Sequence, residues 1–534
     1  MEPLAASGEA VAAEVDRRVS ALEEADRRVA GSFGELGAGL GFPGALAPPP
    51  HTNPADPLGS AVPGASPPVG AGPGRQPTQA TEADPVSVAT GNYRHEAVDL
   101  AMGGRGLPTM FVRTYNSLRA GENGPLGFGW STNLGAFLRI EEAAVAVCLG
   151  DGREEHHRRE ASGAPAAPTG SRGRLEVDGD GFVLRHDDGT VSRFDGSGRL
   201  LGMADPAGNE TLLDSEEGRL TWVVDPAGRE TCFEHDRSGR ITAMVDGLGG
   251  RFGYRYDRRG DLVGVTDASG GEWAYRYDEA HRLTGITDPE GRTVVTNVYD
   301  PAGRVVEQRD GAGSVWRYVY GSGRTVVTDP LGHKMSYQHD AQFRTISVTD
   351  PLGAITRFSW DDHDRLVAVV GPAGGLTFAY DERGNLVEAT GAGTDPVRFE
   401  WDDDDNLTAV VAATGERATL SYDEAGRPVR FVSPAAVETH WSWRPDGLLE
   451  AVTEGDGGTT RYGYDDAGHP ASVTDPLGAT TTVSFDGAGR PASEVHPGGA
   501  HTAFAWDAMG RLVSVTDAHG AVTHLEYDRS GLLV

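Results

Sequence analysis

Cysteine is almost absent from this 534-residue chain, which carries only Cys148 and Cys232. Two cysteines cannot build a disulfide framework, and these two lack metal-ligand spacing, so they read as ordinary half-buried residues. Lysine is scarcer still: Lys334 is the one lysine among 47 basic residues, a bias with no structural cause that a GC-rich coding sequence would produce. Long apolar runs are missing too. The longest, Ala143 to Leu149, has seven residues, too few to span a membrane as a helix, so no membrane insertion is expected. No charged n-region followed by an apolar h-region opens the chain. Export to the cell surface or beyond would therefore need a route other than the general secretory one, starting from the cytoplasm. Net positive charge is lacking: the formal balance of -32 opposes binding to a nucleic-acid backbone and favours a solvated surface or a cationic partner.

What is abundant is periodic. An aromatic residue followed by aspartate recurs about every twenty-one residues through the C-terminal two-thirds of the chain: Tyr256-Asp257, Tyr277-Asp278, Tyr299-Asp300, Trp360-Asp361, Tyr380-Asp381, Trp401-Asp402, Tyr422-Asp423, Tyr464-Asp465, Phe485-Asp486, Trp506-Asp507 and Tyr527-Asp528. Counting Trp443-Arg444 as a degenerate copy, the spacing from Asp423 to Asp528 stays at twenty-one. Weaker copies at Phe194-Asp195, Leu213-Asp214, His235-Asp236, Tyr320-Gly321 and His339-Asp340 bring the count to seventeen over residues 175–534. A fixed period of this length means a repeat array, in which each unit buries its apolar face against its neighbours, and such an array escapes the size limit of a single core.

Each unit divides into two strands. Bulky residues alternate before the pair, as in Phe252, Tyr254 and Tyr256 or Trp273, Tyr275 and Tyr277, and a spacing of two puts them on one face of a strand. Asp278 to Arg282 and Asp423 to Arg427 then read as turns in which aspartate bonds the backbone two residues on. A second strand such as Leu283 to Thr287 or Leu512 to Thr516 follows. It ends in a turn of the form Asp-Pro-x-Gly at Asp225 to Gly228, Asp288 to Gly291, Asp329 to Gly332, Asp350 to Gly353 and Asp475 to Gly478, which suits a type I turn. Seventeen units give roughly thirty-four strands, and open sheets seldom exceed about ten without curling, so the array must coil. A β-propeller would show a forty-two-residue alternation of odd and even units, and none is present.

Ahead of the array, residues 1–42 contain an amphipathic stripe of Val11, Val15, Val19, Leu22, Val29, Phe33 and Leu36 that predicts one helix over 8–37. Residues 43–83, with Pro48, Pro49, Pro50, Pro67 and Pro68, read as a linker. Short β runs between Gly-Pro turns predict a small β domain over 84–160, and residues 160–173 read as a loop.

The phrase Tyr-Asp-x-x-Gly-Arg-Leu, seen from Tyr277 to Leu283 with His281 in the glycine place and from Tyr380 to Leu386 with Asn385 in the arginine place, resembles the YD repeats of bacterial Rhs proteins, which animal teneurins share. Asp84 to Gly91, Arg113 to Tyr115 and Gly124 to Trp130 are similar to the N-terminal domain of unknown function that opens many Rhs proteins. The stripe over 8–37 is weakly similar to the last helix of ESX-type secretion domains, although the Trp-x-Gly turn and first helix of those domains are not there. The resemblance implies an all-β fold: a tandem YD-repeat hairpin spiral forming a cocoon-like shell, here incomplete, with an N-terminal helix and a small β domain. It implies a C-terminal toxin as cargo, delivered in interbacterial competition, and a secretion machinery as partner. The core segment Arg-x-Tyr-Asp-Pro-x-x-Gly-Arg-Phe and the toxin do not occur in this sequence, so the expectation is a wall without its closing piece.

No catalytic constellation stands out, and no enzyme, cofactor or metal is expected. Asp402 to Asp405, Asp361 to Asp364 and Asp178 to Gly181 fall at turns and do not fit the calcium loop of an EF-hand. His156 and His157 lack zinc spacing and read as a surface loop pair. Paired carboxylates can hydrolyse glycosides, but catalysis needs one unequal pair, whereas seventeen equivalent aspartates indicate structure. Two functions remain open: a non-catalytic structural shell of a polymorphic toxin, or an extracellular adhesion protein whose aromatics contact cell-wall glycan. They differ in which way the aromatic ladder faces.

Overall fold

The computed structural model describes residues 80–534 except 84, 151, 169, 170 and 172. The expected helix over 8–37 and nearly all of the linker lie outside the described residues. Every long element is a strand, and one short 3-10 turn at Ser117–Arg119 is the single helical piece described. No described helix is long and apolar enough to cross a membrane.

The N-terminal domain is built on three antiparallel strands, Arg94–Met102, Thr109–Asn116 and Trp130–Thr132. A four-stranded sheet follows, with Phe137–Ile140, Ala144–Cys148, Glu154–Arg159 and Pro165–Ala166. The apolar run read from the sequence forms the strand Ala144–Cys148, buried at every position. Three local readings need correction. The loop expected over 160–173 includes the strand Pro165–Ala166. His157 lies inside a strand with a fully buried side chain, because the alternation of that strand turns it inward while His156 points out. Cys148 is buried and Cys232 exposed, so neither is half-buried.

From Arg174–Asp178 to Val522–His524 runs one antiparallel sheet of 35 strands, each paired only with its sequence neighbours. The order never returns the last strand to the first, so the sheet is a spiral and not a closed barrel. Its cause is visible in the register. In nearly every unit the ladder shifts just before the pair aromatic, as between Arg255 and Tyr256 or between Ser421 and Tyr422. A bulge bends its strand and increases the right-handed twist, and the same bend repeated per unit coils the array. Two weak copies depart from the pattern: Asp214 and Gly321 sit within strands Glu210–Glu216 and Val315–Gly321, which close in tighter turns.

Contacts between turns far apart in sequence measure the coil. Asn209 donates to the carbonyl of Asp446, 237 residues on, and Arg292 to the carboxylate of Asp528, 236 residues on. One winding thus takes about eleven twenty-one-residue units, and the array completes roughly one and a half windings. The Asp-Pro-x-Gly edge of the first winding meets the aromatic-aspartate edge of the second. Successive windings share no β-ladder.

The N-terminal domain fixes which face is inside. Gly91 accepts from the amide of Val305, Pro125 from Ile241 and Gly198 from Leu138, so the domain spans the strands from Leu200 to Val305. Eleven strands laid flat would extend about 50 Å, yet a domain of this size has a radius of gyration of about 11 Å. The sheet must wrap around the domain, which places the domain on the concave side. Core residues from both, among them Val88, Tyr93, Phe111, Phe233, Tyr254, Leu262, Tyr275 and Leu283, form one cluster.

Candidate functional site

Three features concentrate polar chemistry: the repeated turn, the contact between the N-terminal domain and the wall, and the joint between windings. The turn is the commonest. In the unit after Tyr422, Oδ1 of Asp423 accepts from the amides of Ala425 and Arg427, at 3.0 and 2.9 Å. Its Oδ2 accepts from Nε of Arg427 at 2.8 Å. Partial burial works against the charge, but the bonds from Arg427 and the backbone hold this carboxyl below the usual carboxylate range. The same bonding recurs at Asp278, Asp300, Asp361, Asp486 and Asp507. Asn385 and Asn406 replace the arginine at Asp381 and Asp402, and His469 replaces it at Asp465. Asp257 bonds the amides of Arg259 and Asp261, and Asp528 those of Ser530 and Leu532.

The arginine also reaches the next unit. Arg427 donates Nη1 to the carbonyl of Arg444 at 3.0 Å and lies over the Trp443 ring, and Arg365 and Arg511 do likewise with Asp381 and Tyr380 and with Asp528 and Tyr527. The aromatic reaches back. Tyr256, Tyr277, Tyr299, Tyr320, Tyr380, Tyr422 and Tyr464 donate their hydroxyls, and Trp360, Trp401, Trp443 and Trp506 their indole N–H, to the carbonyl of the residue that opens the second strand of the preceding unit. Phe485 has no donor to give.

Two of the three acidic runs are taken up by arginines of this scheme. Asp403 and Asp405 pair with Arg383, and Asp364 with Arg344. Among the described residues no three His, Cys, Asp or Glu side chains converge as a metal site.

The contact between domain and wall was not foreseen. A bulge in the strand Arg94–Met102 falls at Asp99 and turns it towards Arg113 of the adjacent strand. Arg113 Nε and Nη2 donate to Asp99 at 2.5 and 2.9 Å, with side-chain exposures of only 2% and 7%. Tyr254 of the wall donates its hydroxyl to Asp99 at 2.7 Å, and Nη1 of Arg113 reaches the hydroxyl of Tyr275 at 3.3 Å. The guanidinium is also sandwiched near the rings of Trp130, Tyr254 and Tyr275. Burial opposes charge on Arg113, and the facing Asp99 more than restores it. Beside them His95 is held neutral, its pKa lowered to about 3 by burial and then by the Arg113 cation. Trp130 donates to the Tyr277 hydroxyl, and Tyr115 both donates to the carbonyl of His281 and accepts from the amide of Leu283. A charged residue interrupting the alternating apolar stretch Val98-Asp99-Leu100-Ala101-Met102 was the signal available in the sequence.

Past the domain one stretch of the wall is barer. Tyr254, Tyr275, Tyr318 and Tyr337, two residues before the pair position, are buried. Phe358, Phe378 and Phe399, at the same place in the next units, are only half-buried, whereas Leu420, Trp441, Tyr462 and Val483, further on, are buried again. The outer face carries exposed cross-strand ion pairs such as Arg251 with Glu234 and Arg417 with Glu400.

Comparison with known proteins bears on both parts. Residues 83–157 match a family model described as a domain of unknown function, DUF6531. A model described as RHS Repeat matches nine times between residues 256 and 534. No curated protein is matched. A crystal structure titled TcdB2-TccC3-TEV aligns at 14% identity with TM-score 0.50, covering 77% of this chain and 28% of that one. TcdB2-TccC3 without its hypervariable C-terminal region, at 14% identity, covers 80% and 26% with TM-score 0.29. The Photorhabdus luminescens Tc holotoxin pore, also at 14%, covers 82% and 26% with TM-score 0.27. The described chain thus spans little more than a quarter of the solved chains it matches, and the first of these likenesses speaks to fold alone.

Proposed function

This chain belongs to the Rhs/YD-repeat proteins, and from that premise we propose that it is the non-catalytic wall of a container that holds a toxin cargo and delivers it in competition between bacteria. In this reading the pair residues are structural parts. Each aspartate organises a turn and orients an arginine, each arginine ties its unit to the next, and each Tyr or Trp ties its unit to the one before. The chain acts after export by a route other than the general secretory one, with the cargo as its partner.

The observation that carries the proposal is the uncovered stretch of concave wall. Phe358, Phe378 and Phe399 face the same way as the aromatics beneath the N-terminal domain, yet among the described residues none of the domain packs on them. A concave apolar surface of this kind suits a polypeptide held inside. Glycan adhesion is less well supported, because the O–H and N–H donors of eleven pair aromatics are already given to backbone carbonyls and cannot also be donated to a sugar.

The test is a protease-sensitive reporter joined after Val534. Containment predicts that the reporter resists protease in the intact product, becomes labile once the product is unfolded, and accompanies hollow particles in negative stain. A reporter cut as fast as the free one, or images of a rod or flat disc, would overturn it.

A further inference from the structure

Between the strands Arg94–Met102 and Thr109–Asn116 the N-terminal domain extends a hairpin tip, Gly103 to Leu107. Unlike the rest of the domain, it leaves the concave face and enters the joint between windings. On the first-winding side, Arg229 donates Nη2 to the carbonyl of Gly103 at 2.5 Å. A Cβ on Gly106 would stand 2.7 Å from Cβ of Asn209 and 3.1 Å from Cγ of Pro226. On the second-winding side, the amide of Arg105 donates to the carbonyl of Ala467 at 2.8 Å, and its Nη2 to that of Asp466 at 3.2 Å. Gly468 packs so closely on Arg105 that an added Cβ would lie 2.7 Å from the arginine Cβ. His469, placed by Asp465, points Nε2 at the carbonyl of Gly103.

We propose that this hairpin tip is a bolt that holds the two windings together, so that the joint is the line along which the wall opens and the tip decides whether it does. The proposal rests on the containment reading for its purpose, but not for its test. Elsewhere the joint is held by scattered contacts and no ladder. Apart from the tip it is closed by Asn209 on Asp446, Ala207 against Gly447, Leu248 against Gly487, the partly buried Met509 packed on the first-winding core, Gly271 beside the carbonyl of Arg529, and an exposed cluster in which Arg292 meets Asp528 and Ser530 while the amide of Arg529 donates to Glu290 at 2.9 Å. Exposed pairs of this kind contribute little and are screened by salt, whereas each neighbouring strand pair within a winding shares a hydrogen-bonded ladder. Parting of windings is therefore the easiest large motion of the wall. The glycines at 104 and 106, both at positive φ, let the tip fit between two rows of turns where a side chain would not.

The cross-joint amide of Arg529 provides a remote reporter. Hydrogen exchange at residue resolution, by mass spectrometry with electron-transfer fragmentation, should be measured on the full chain carrying Arg105→Ala, Gly106→Val or the control Gly121→Ala, whose added methyl meets nothing within 4 Å. The bolt predicts that Arg105→Ala and Gly106→Val each speed exchange at Arg529 roughly tenfold, the factor expected from the loss of one or two hydrogen bonds. The Leu283 amide, which bonds Tyr115 and reports domain docking, stays as protected as in the control. An unchanged Arg529 in both variants overturns the bolt. So does equal loss of protection at Leu283 and Arg529, because the tip would then act only by undocking its whole domain. Cargo protection is read separately, so either result leaves containment to stand or fall on its own assay.

Discussion

Replacing Asp99 by alanine tests the buried ion pair on which the N-terminal domain meets Tyr254 and Tyr275 of the wall. In the native protein Arg113 is enclosed by Trp130, Tyr254 and Tyr275 and neutralised by Asp99 through two bonds of 2.5 and 2.9 Å. Alanine leaves a guanidinium buried without a counter-charge, a change that costs about 3 to 5 kcal/mol. The Tyr254 hydroxyl loses its acceptor as well, a loss shared with the first and not added to it. The double variant Asp99→Leu, Arg113→Met removes both charges and keeps apolar volume, which should return docking to within about 1 kcal/mol of the native value. Exchange of the Leu283 and Ile241 amides, both bonded to the domain, reads the docking equilibrium directly. Asp99→Ala should accelerate both by at least about a hundredfold, since about 1.4 kcal/mol corresponds to tenfold. Acceleration below about fivefold, or a double variant as fast as the single one, would refute the reasoning.

Other predictions follow from single groups. His95 titrates near 3 in the folded protein and near 6.5 in an unfolded chain. The unfolded state therefore takes up the proton first, and docking stability, complete above about pH 6.5, falls as pH drops from there towards 3, by at most about 1.4 kcal/mol per unit. The native-minus-variant difference in melting temperature for His95→Gln isolates that slope, and identical pH profiles would refute it. Phe485 is the one pair aromatic without a donor among the eleven clear copies, and Phe485→Tyr should reach the carbonyl of Pro470 and raise stability by about 0.5 to 1 kcal/mol in urea titration. No gain would mean that the donor-to-carbonyl bonds of the other units have no net value. Ala436 holds the left-handed conformation, φ 60°, in an exposed turn where most units have glycine. Ala436→Gly should relieve strain worth more than the added chain entropy, for a net gain of about 0.5 kcal/mol, and a loss of stability in the same titration would count against that account.

The repeat unit was legible because its determinants are local. The aspartate, the arginine four residues on, and the aromatic all act within about one period, so each leaves a trace at fixed spacing, and even the tally of about thirty-four strands lies close to the 35 observed. The docking of Asp99 and Arg113 was not legible, because its partners Tyr254 and Tyr275 stand more than 140 residues away and look like any other aromatic in their units. The winding number was hidden for a different reason. The period sets how many strands there are, but the coil is set by the bend at each bulge, and the position of a bulge depends on register and not on composition. Small changes in that bend would alter how many units make a winding. Something must hold the count where the turns of one winding meet those of the next, and turns that vary from Asp-Pro-x-Gly to Asp-Gly-Leu-Gly offer no repeated interlock that could do so. A domain that touches the wall at Gly198, Ile241, Leu283 and Val305 while its hairpin sits between turns 237 to 240 residues apart can impose the curvature from within, as a template around which the repeats wind. That assigns the N-terminal domain a part in setting the radius of the wall, and it accounts for why the best-packed stretch of the sheet is the one lying against that domain.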